Sequence, residues 1–182
     1  MKELSLNILD IAKNSTKAGA TLVEILIEET KDILTISISD NGHGMTREIL
    51  ESVTSPFSTS RTTRKVGMGI PLFKFAAEQT GGSLKIESKH KDEYPDAHGT
   101  TTSASFYKNH IDFTPLGDVT SSIVTLIQGN PDIDFRFYHK TEGGVVSLDT
   151  REIREVLEEV PLNSFDVLSW IEENLTEQYN SI

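Results

Sequence analysis

Segments in which apolar and polar residues alternate place the strongest restriction on the fold of this 182-residue chain. Residues 21–29 and 33–40 are two such runs, and a short polar connection, Thr30-Lys31-Asp32, joins them. Strict alternation predicts β-strands with one buried face, and the short connection predicts that the two strands form a hairpin. Residues 83–88 and 100–107 repeat the pattern and predict two further strands, joined by a polar loop.

The second of these strands directs an acidic side chain into the protein. Leu34, Ile36 and Ile38 share a parity with Asp40, so all four side chains are expected on the packed face. A buried carboxylate costs several kcal/mol unless a partner binds it. Residues 41–45 follow as Asn-Gly-His-Gly-Met, and glycines allow a ligand to approach the backbone closely. The segment therefore predicts either a ligand-binding turn or a strand end capped by ordinary Asp-Asn-Gly turn chemistry.

The segment before the first hairpin, residues 4–18, has the periodicity of an amphipathic helix that ends at Gly19. Asp10 and Asn14 are four residues apart and are therefore neighbours on the flank of its buried face. That buried face is expected to consist of Leu4, Ile8, Ile11, Ala12 and Ser15.

A hydroxyl-rich and basic loop, residues 54–66, leads from a short helix at residues 47–53 into a glycine turn. Loops of this length are usually functional or disordered. Residues 67–69, Gly-Met-Gly, precede Pro71, which is expected to open a helix running to about Thr80. Free N–H groups at such a helix start attract anions, although an ordinary helix-entry loop has the same composition. Neither a Walker loop nor a dinucleotide fingerprint fits this turn. The cations expected to close over an anion here are Arg61, Arg64 and Lys65.

The charge of the chain is divided unequally near Asn109. Residues 1–108 hold 13 Lys and Arg against 14 Asp and Glu, a net charge of −1, whereas residues 109–182 hold 4 against 14, a net charge of −10. We therefore expect two regions with different roles. The acidic region argues against nucleic acid as a partner, because it would repel the phosphate backbone.

Composition excludes several further classes of protein. The chain contains no cysteine, which excludes disulfide scaffolds, zinc–thiolate sites and thiol nucleophiles. No apolar run approaches the ~20 residues of a membrane span, and the first residues lack the pattern of a signal peptide. We therefore expect a cytoplasmic protein with no membrane partner.

Residues 109–182 are expected to form a small α/β region. Their pattern predicts a helix at 117–129 capped by Asp118, strands at 132–139 and 145–148, and two helices capped near residues 149–150 and 163–164. Apolar stripes on such helices usually pack in a core. We interpret the region as a docking or sensing module whose exposed acidic helices meet a protein partner.

Five short motifs in chain order resemble those of the GHKL superfamily, which includes type II topoisomerases, histidine kinases and MutL-type repair proteins. Each motif is weak alone, and their shared order indicates the family. Pro71 stands where kinases usually have the third glycine of the second glycine box. The motifs are residues 8–20 (N box), 40–45 (Asp-x-Gly-x-Gly box), 56–59 (Pro-Phe-Ser-Thr, the kinase F box), 67–72 (second glycine box) and 99–100 (Gly-Thr, the last box). The resemblance covers roughly residues 4–108.

The resemblance implies an α+β fold for residues 1–108, in which helices cover one face of a mixed, largely antiparallel sheet as a two-layer sandwich (the Bergerat-type ATP-binding fold). ATP would bind between the sheet and the helices, under a mobile lid. Asn14 would bind Mg²⁺ through its side-chain oxygen, Asp40 would accept a hydrogen bond from the adenine amino group, and Thr100 would support the adenine. Gly42 and Gly44 would shape the base pocket, and Gly67 and Gly69 would hold phosphates with help from Arg61, Arg64 and Lys65. By position, the nucleotide-binding residues are Asn14, Asp40, Gly42, Gly44, Met45, Phe57, Gly67, Met68, Gly69 and Thr100.

The resemblance leaves the fate of the ATP open. Family ATPases of the gyrase and MutL type carry a catalytic glutamate four residues before the N-box asparagine, where this sequence has Asp10, which is one methylene shorter. Asp10 could act through a second water, help to hold magnesium, or lie on a solvated helix flank. His43 is interpreted as the rim of the pocket.

These residues predict an Mg²⁺-dependent ATP-binding protein that hydrolyses ATP or transfers its γ-phosphate to a partner protein, as histidine- or serine-kinase-like enzymes do. The alternative is a non-catalytic regulatory module that signals ATP occupancy to a partner through its lid.

Overall fold

The computed structural model describes residues 3–54 and 68–182. These residues form helices and strands that are mixed along the chain. The helices are α1 (Leu4–Lys17), α2 (Arg47–Thr54), α3 (Gly69–Gln79), α4 (Val119–Gly129), α5 (Thr150–Leu157) and α6 (Phe165–Asn180). The strands are β1 (Leu22–Glu29), β2 (Ile33–Asp40), β3 (Ser83–Lys89), β4 (Gly99–Tyr107), β5 (Asp134–Lys140) and β6 (Val145–Asp149).

The strands join one sheet in the order β3-β4-β2-β1-β5-β6. β1 and β2 pair antiparallel, as the short polar connection predicts, and β2 pairs antiparallel with β4. The hairpins β3–β4 and β5–β6 are also antiparallel, whereas β1 and β5 run parallel. The sheet is therefore mixed and largely antiparallel, and the predicted α+β fold class is confirmed.

The two faces of the sheet differ in polarity. Ile25, Ile36 and Phe137 are fully buried on one face, in a single core with residues of α1, α3, α4 and α6. The other face carries paired hydroxyl groups: those of Ser37 and Ser103 lie 2.8 Å apart. In the part of the chain that the structure describes, the helices therefore pack on one face of the sheet, which is the predicted two-layer arrangement. None of the helices described here is long and apolar enough to cross a membrane.

Residues 109–182 extend the same sheet and core rather than building a second core. β5 lies beside β1 with Val23 opposite Phe135, and both of these side chains are fully buried. α4 packs against α1. The proposed division at residue 108 stays a prediction about the roles of the two regions, because the sheet and the core are continuous across it.

α6 covers part of the free edge of the sheet at β6. The side-chain amide of Gln178 donates to the carbonyl oxygen of Ser147 (3.0 Å) and accepts from its N–H (2.9 Å). The side-chain amide of Gln178 therefore occupies backbone groups of Ser147 that would otherwise pair with another strand. The next residue of α6, Tyr179, lies with its hydroxyl 2.9 Å from Nδ1 of His139 on β5, and burial lowers the pKa of this histidine.

Several element boundaries differ by one or two residues from the sequence-based expectations. α4 begins at Val119 rather than at residue 117. α3 begins at Gly69, two residues before Pro71. A proline is tolerated at this position because the first N–H groups of a helix have no partner within the helix. β5 begins at Asp134 rather than at residue 132, because the N–H of Ile133 donates to Asn130 in a turn. The expected cap of α4 is present: Asp118 accepts from the N–H of Ser121 (2.9 Å).

Candidate functional site

A cavity of about 580 Å³ opens between α1, α2, the start of α3 and the ends of β2 and β4. Its volume falls in the range of small-molecule sites. The predicted N box, Asp-x-Gly-x-Gly box and last box all contribute to its walls, although they are far apart in sequence. The predicted nucleotide-binding residues that line it are Asn14, Asp40, Gly44, Met45 and Thr100. Their role in binding a nucleotide stays a prediction.

Asp40 lies at the carboxyl end of β2 and is half-buried with its side chain on the packed face, as its parity predicts. One carboxylate oxygen, Oδ2, accepts from the hydroxyl of Ser15 on α1 at 2.6 Å. The other, Oδ1, accepts from the N–H of Gly42 at 2.9 Å. The carboxylate is thus held in one orientation by two donors and can still accept a further hydrogen bond from a ligand.

Thr100 is the cross-strand partner of Asp40 in the pairing of β2 with β4. Directly opposite residues of an antiparallel pair have Cβ atoms about 5 Å apart on the same face of the sheet. Thr100 also lies 2.8 Å from the hydroxyl of Ser88. Thr102, two residues further along β4, is almost fully buried and lines the cavity. The sheet therefore presents an acceptor and two hydroxyl groups to one small volume.

Residues 41–45 are fixed by hydrogen bonds to both sides of the cavity. The N–H of His43 donates to the carbonyl oxygen of Ala18 at the end of α1 (2.9 Å). The N–H of Met45 donates to the hydroxyl of Ser88 on β3 (2.7 Å). Nδ1 of His98 donates to the carbonyl oxygen of Gly42 (2.6 Å). The segment is therefore a rigid bridge between α1 and the β3–β4 hairpin, and His43 is exposed and lines the cavity.

Position 44 requires a glycine because the backbone of a neighbouring strand lies too close for a side chain. The sequence by itself suggests instead that this glycine lets a ligand approach. Its φ is +70°, and a Cβ placed on it would lie 2.0 Å from the carbonyl oxygen of Lys89. The backbone of β3 occupies the space that a side chain would need. Gly42 likewise packs against Ala18 and is not among the residues that line the cavity.

We expect Gly44→Ala to lower the free energy of unfolding by roughly 2–4 kcal/mol, because the substitution combines a clash with an unfavourable φ. Thermal unfolding followed by circular dichroism measures the effect. Gly129→Ala is the matched control: a Cβ at Gly129 meets nothing within 4 Å, so no loss of stability is expected, and a gain of up to about 1 kcal/mol is consistent with its place in a helix. Equal stability of the two variants would contradict the close packing at Gly44.

Asn14 and Asp10, the two N-box residues with predicted roles, differ in whether they line the cavity. Asn14 is half-buried and lines the cavity, and its side chain makes no hydrogen bond within residues 3–54 and 68–182. Asp10 is exposed, one turn away, and is not among the lining residues. A Cβ placed on Gly69 would lie 3.0 Å from Cβ of Asp10, so the start of α3 packs directly onto α1 at this point.

Several predicted residues do not line the cavity or fall outside the described part of the chain. Met68 precedes α3 and is 74% exposed. Gly69 is buried against α1. The predictions for Phe57, Arg61, Arg64, Lys65 and Gly67 lie outside the described residues.

Sequence reasoning missed four residues that shape the site. The sequence places Ser15 on the buried face of the helix and within the N box but gives it no role in binding, although its place directly after Asn14 could have suggested a contact with the site. Ser88 and Thr102 depend on the register of β3, β4 and β2, for which no local signal exists. Ile70 reaches the cavity because α3 starts earlier than Pro71.

The described residues could hold a magnesium ion only together with ligands from a nucleotide and from water. Within the described residues no group of three or more His, Asp or Glu side chains could hold a metal ion alone. Mg²⁺ in nucleotide sites commonly has one or two protein ligands, with phosphates and waters completing its octahedron. The side-chain oxygen of Asn14 is a suitable single ligand, because it is a hard donor that faces the cavity without a partner among the described residues.

Sequence comparisons support the motif assignment. Residues 1–111 match the family described as "Histidine kinase-, DNA gyrase B-, and HSP90-like ATPase". The sensor protein KdpD of Clostridium acetobutylicum is 32% identical over 94 residues, which cover 49% of this chain and 10% of that protein. The DNA mismatch repair protein MutL of Listeria monocytogenes is 24% identical over an alignment that covers 82% of this chain and 30% of that protein. The chain thus spans less than a third of the length of these relatives.

Comparison with solved structures extends the likeness in fold beyond the matched family region. The Aquifex aeolicus MutL ATPase domain complexed with ADP superimposes with a TM-score of 0.51 at 17% identity. The superposition covers 87% of this chain and 70% of that chain. The family match spans well over half of the chain, and the N box, Asp-x-Gly-x-Gly box and last box meet at one cavity. This chain belongs to the family of histidine kinase-, DNA gyrase B- and HSP90-like ATPases.

Proposed function

We propose that this chain binds ATP together with Mg²⁺ in the cavity between α1 and the sheet, and that it hydrolyses the ATP or transfers its γ-phosphate to a partner protein. The observation that carries the proposal is the arrangement of Asp40, which is turned inward and held by Ser15 and Gly42. It lines the same cavity as the side-chain amide of Asn14, which has no hydrogen-bond partner among residues 3–54 and 68–182. A cytoplasmic location is part of this proposal, because ATP is supplied there.

The described residues suggest how a nucleotide would be oriented. Asp40 would accept a hydrogen bond from the adenine amino group, and the buried side chains of Ile11, Ile70 and Thr102 would exclude water from around the base. The amino terminus of α3 carries a positive dipole end, which favours phosphate nearby. Mg²⁺, when bound beside Asn14, would neutralise charge on the phosphate oxygens.

We expect Asp10→Asn to leave the affinity for ATP unchanged within about twofold and to reduce hydrolysis by about 100-fold, if Asp10 positions or activates the attacking water. Phosphate release under saturating ATP measures the effect. Asp32→Asn, in the turn at the opposite end of β2, is the control and should retain full activity. Unchanged turnover in Asp10→Asn would eliminate Asp10 as the base.

A second candidate function is a non-catalytic module that reports ATP occupancy to a partner. The exposure of Asp10 outside the cavity lining favours it, since a group must reach its substrate before its acidity matters. In this case Asp10→Asn and the wild type would bind ATP equally, and neither would release phosphate. Tight binding without turnover therefore supports the module over the enzyme.

Titration calorimetry and a labelling experiment together test the proposal. ATP with Mg²⁺ should produce saturable heat that ADP competes for; no heat and no competition would overturn the assignment. Incubation with ATP labelled at the γ-phosphate, with and without cell extract, then separates the possible outcomes. Free labelled phosphate indicates hydrolysis, labelled protein indicates transfer, and unchanged ATP indicates binding alone.

A further inference from the structure

A second concave surface lies far along the chain from the nucleotide motifs, between α5 and α6. Its volume is about 460 Å³, and its floor is formed by apolar side chains of both helices. We call this surface the α5–α6 groove. Its apolar residues are Ile153, Val156, Leu157, Val167 and Trp170, and its acidic residues are Glu152 and Asp166.

The apolar residues of the groove fall into two groups, those that pack in the core and those that are exposed to solvent. Val167 is buried, and Ile153 and Leu157 pack against the core of the protein. Val156 and Trp170 are 82% and 51% exposed. Two large apolar side chains beside a concave apolar floor mark an interaction surface more strongly than isolated exposed residues do. Tryptophan is also among the side chains that most often dominate binding energy at protein interfaces.

The charge around the groove is almost entirely of one sign. Residues 150–180, from the start of α5 to the end of α6, contain eight acidic residues and two basic ones, Arg151 and Arg154. The guanidinium of Arg151 donates to the carboxylate of Asp149 (2.6 Å). The guanidinium of Arg154 donates to Asp134 (2.7 Å) and to the carbonyl oxygen of Pro131 (2.6 Å). Its charge is therefore engaged at the start of β5 and does not offset the rim of the groove.

We propose that the α5–α6 groove binds a basic amphipathic helix of a partner protein. An amphipathic helix inserts apolar residues at positions i, i+3 or i+4, and i+7 into a groove of this kind. Lysine and arginine residues beside that apolar stripe would meet Glu152 and Asp166 at the rim, and complementary charge would speed association and exclude acidic competitors.

Charge also argues against other occupants. A second copy of this chain would bring a net charge of −11 and its own acidic groove to the contact, so a symmetric pair would set acid against acid. Nucleic acids and anionic lipid surfaces would be repelled by the same rim. A cationic partner is the occupant for which both the apolar floor and the acidic rim are favourable.

The chain provides its own reporter for this test, because Trp170 is the only tryptophan in the sequence and lies in the groove. The probe is a synthetic helical peptide of about 14 residues with leucine at i, i+3, i+4 and i+7 and lysine or arginine elsewhere. A matched peptide carries glutamate in place of every basic residue. Titration into the full chain without nucleotide should shift the tryptophan emission saturably with the basic peptide, with a Kd below about 100 µM, and leave it unchanged with the acidic peptide.

Two matched pairs of variants identify the surface. Val156→Ser should weaken binding by about tenfold, whereas Phe165→Ser, which removes an equally exposed apolar side chain of α6 outside the groove lining, should not. The double change Glu152→Gln with Asp166→Asn should weaken binding and flatten its salt dependence. The double change Glu172→Gln with Glu173→Gln, which removes two charges of α6 outside the groove lining, should have a much smaller effect. Circular dichroism of each variant confirms that it is folded.

The expected pattern supports the proposal, and each of the other outcomes overturns it. No saturable shift with the basic peptide, or equal binding of the acidic peptide, would overturn it. So would an equal loss of binding in Val156→Ser and Phe165→Ser. Light scattering that shows a concentration-dependent dimer abolished by Val156→Ser would assign the groove to a second copy instead. Because no nucleotide is present in any arm, these results do not depend on whether the chain binds ATP.

Discussion

Asp40→Asn is expected to lower the affinity for both ATP and ADP by about 100-fold or more while leaving the fold intact. The N–H of Gly42 donates to Oδ1 at 2.9 Å, so the amide of the variant should keep its oxygen there and place its NH₂ group at the position of Oδ2. Ser15, which now donates to Oδ2, can turn its hydroxyl to accept from that NH₂ group. The adenine amino group cannot do so, because it is itself a donor.

Calorimetry with ATP and with ADP measures this effect, and thermal unfolding shows whether the variant is folded. Asp32→Asn makes the same chemical change in the turn at the other end of β2 and should bind both nucleotides as the wild type does. A folded Asp40→Asn protein that binds within about threefold of the wild type would remove Asp40 from base recognition. The placement of the nucleotide in this cavity would then be wrong.

Asn14→Ala is expected to abolish the effect of Mg²⁺ on ATP binding and to reduce any turnover by about 100-fold. The substitution removes the only hard donor that we assign to the metal. It should not harm the helix, because alanine is a better helix former than asparagine and the side chain of Asn14 has no hydrogen-bond partner within the described residues. ADP binding without metal should stay within about threefold of the wild type.

Titrations of ATP at several Mg²⁺ concentrations measure the loss, and Asn180→Ala at the exposed end of α6 is the control. Retention of the full magnesium dependence in Asn14→Ala would assign the metal to other residues. The two variants also separate two roles: Asp40→Asn should weaken every adenine nucleotide, whereas Asn14→Ala should weaken only the contribution that depends on metal.

Local patterns predicted the parts of the site that depend on the direction of a side chain. The parity of β2 placed Asp40 on the packed face, and the structure confirms this orientation. The same reasoning identified the buried face of α1, in which Leu4, Ile8 and Ile11 are all nearly inaccessible. These predictions succeeded because the direction of a side chain in a strand or helix follows from the backbone repeat alone.

The contacts that hold the site depend on segments far apart in the chain. The hydrogen bond from Ser15 to Asp40 spans 25 residues, and that from Met45 to Ser88 spans 43. Gly44 illustrates the difference: the sequence indicated a glycine turn suited to a ligand, whereas the structure shows the backbone at Lys89 filling the space beside it. Such contacts depend on strand register and helix docking, which no local pattern specifies.

The sequence by itself determined the element types, the inward direction of Asp40 and the family of residues 1–111, because these properties depend on backbone periodicity and on the order of short motifs. Only the tertiary structure decided that residues 109–182 share the sheet and core of the first region, with β5 parallel to β1. It also decided that α5 and α6 leave an acidic-rimmed apolar groove open. The physical reason is that burial depends on which surfaces meet, and the amphipathic pattern of a helix does not state whether its apolar residues face the core of the protein or a partner.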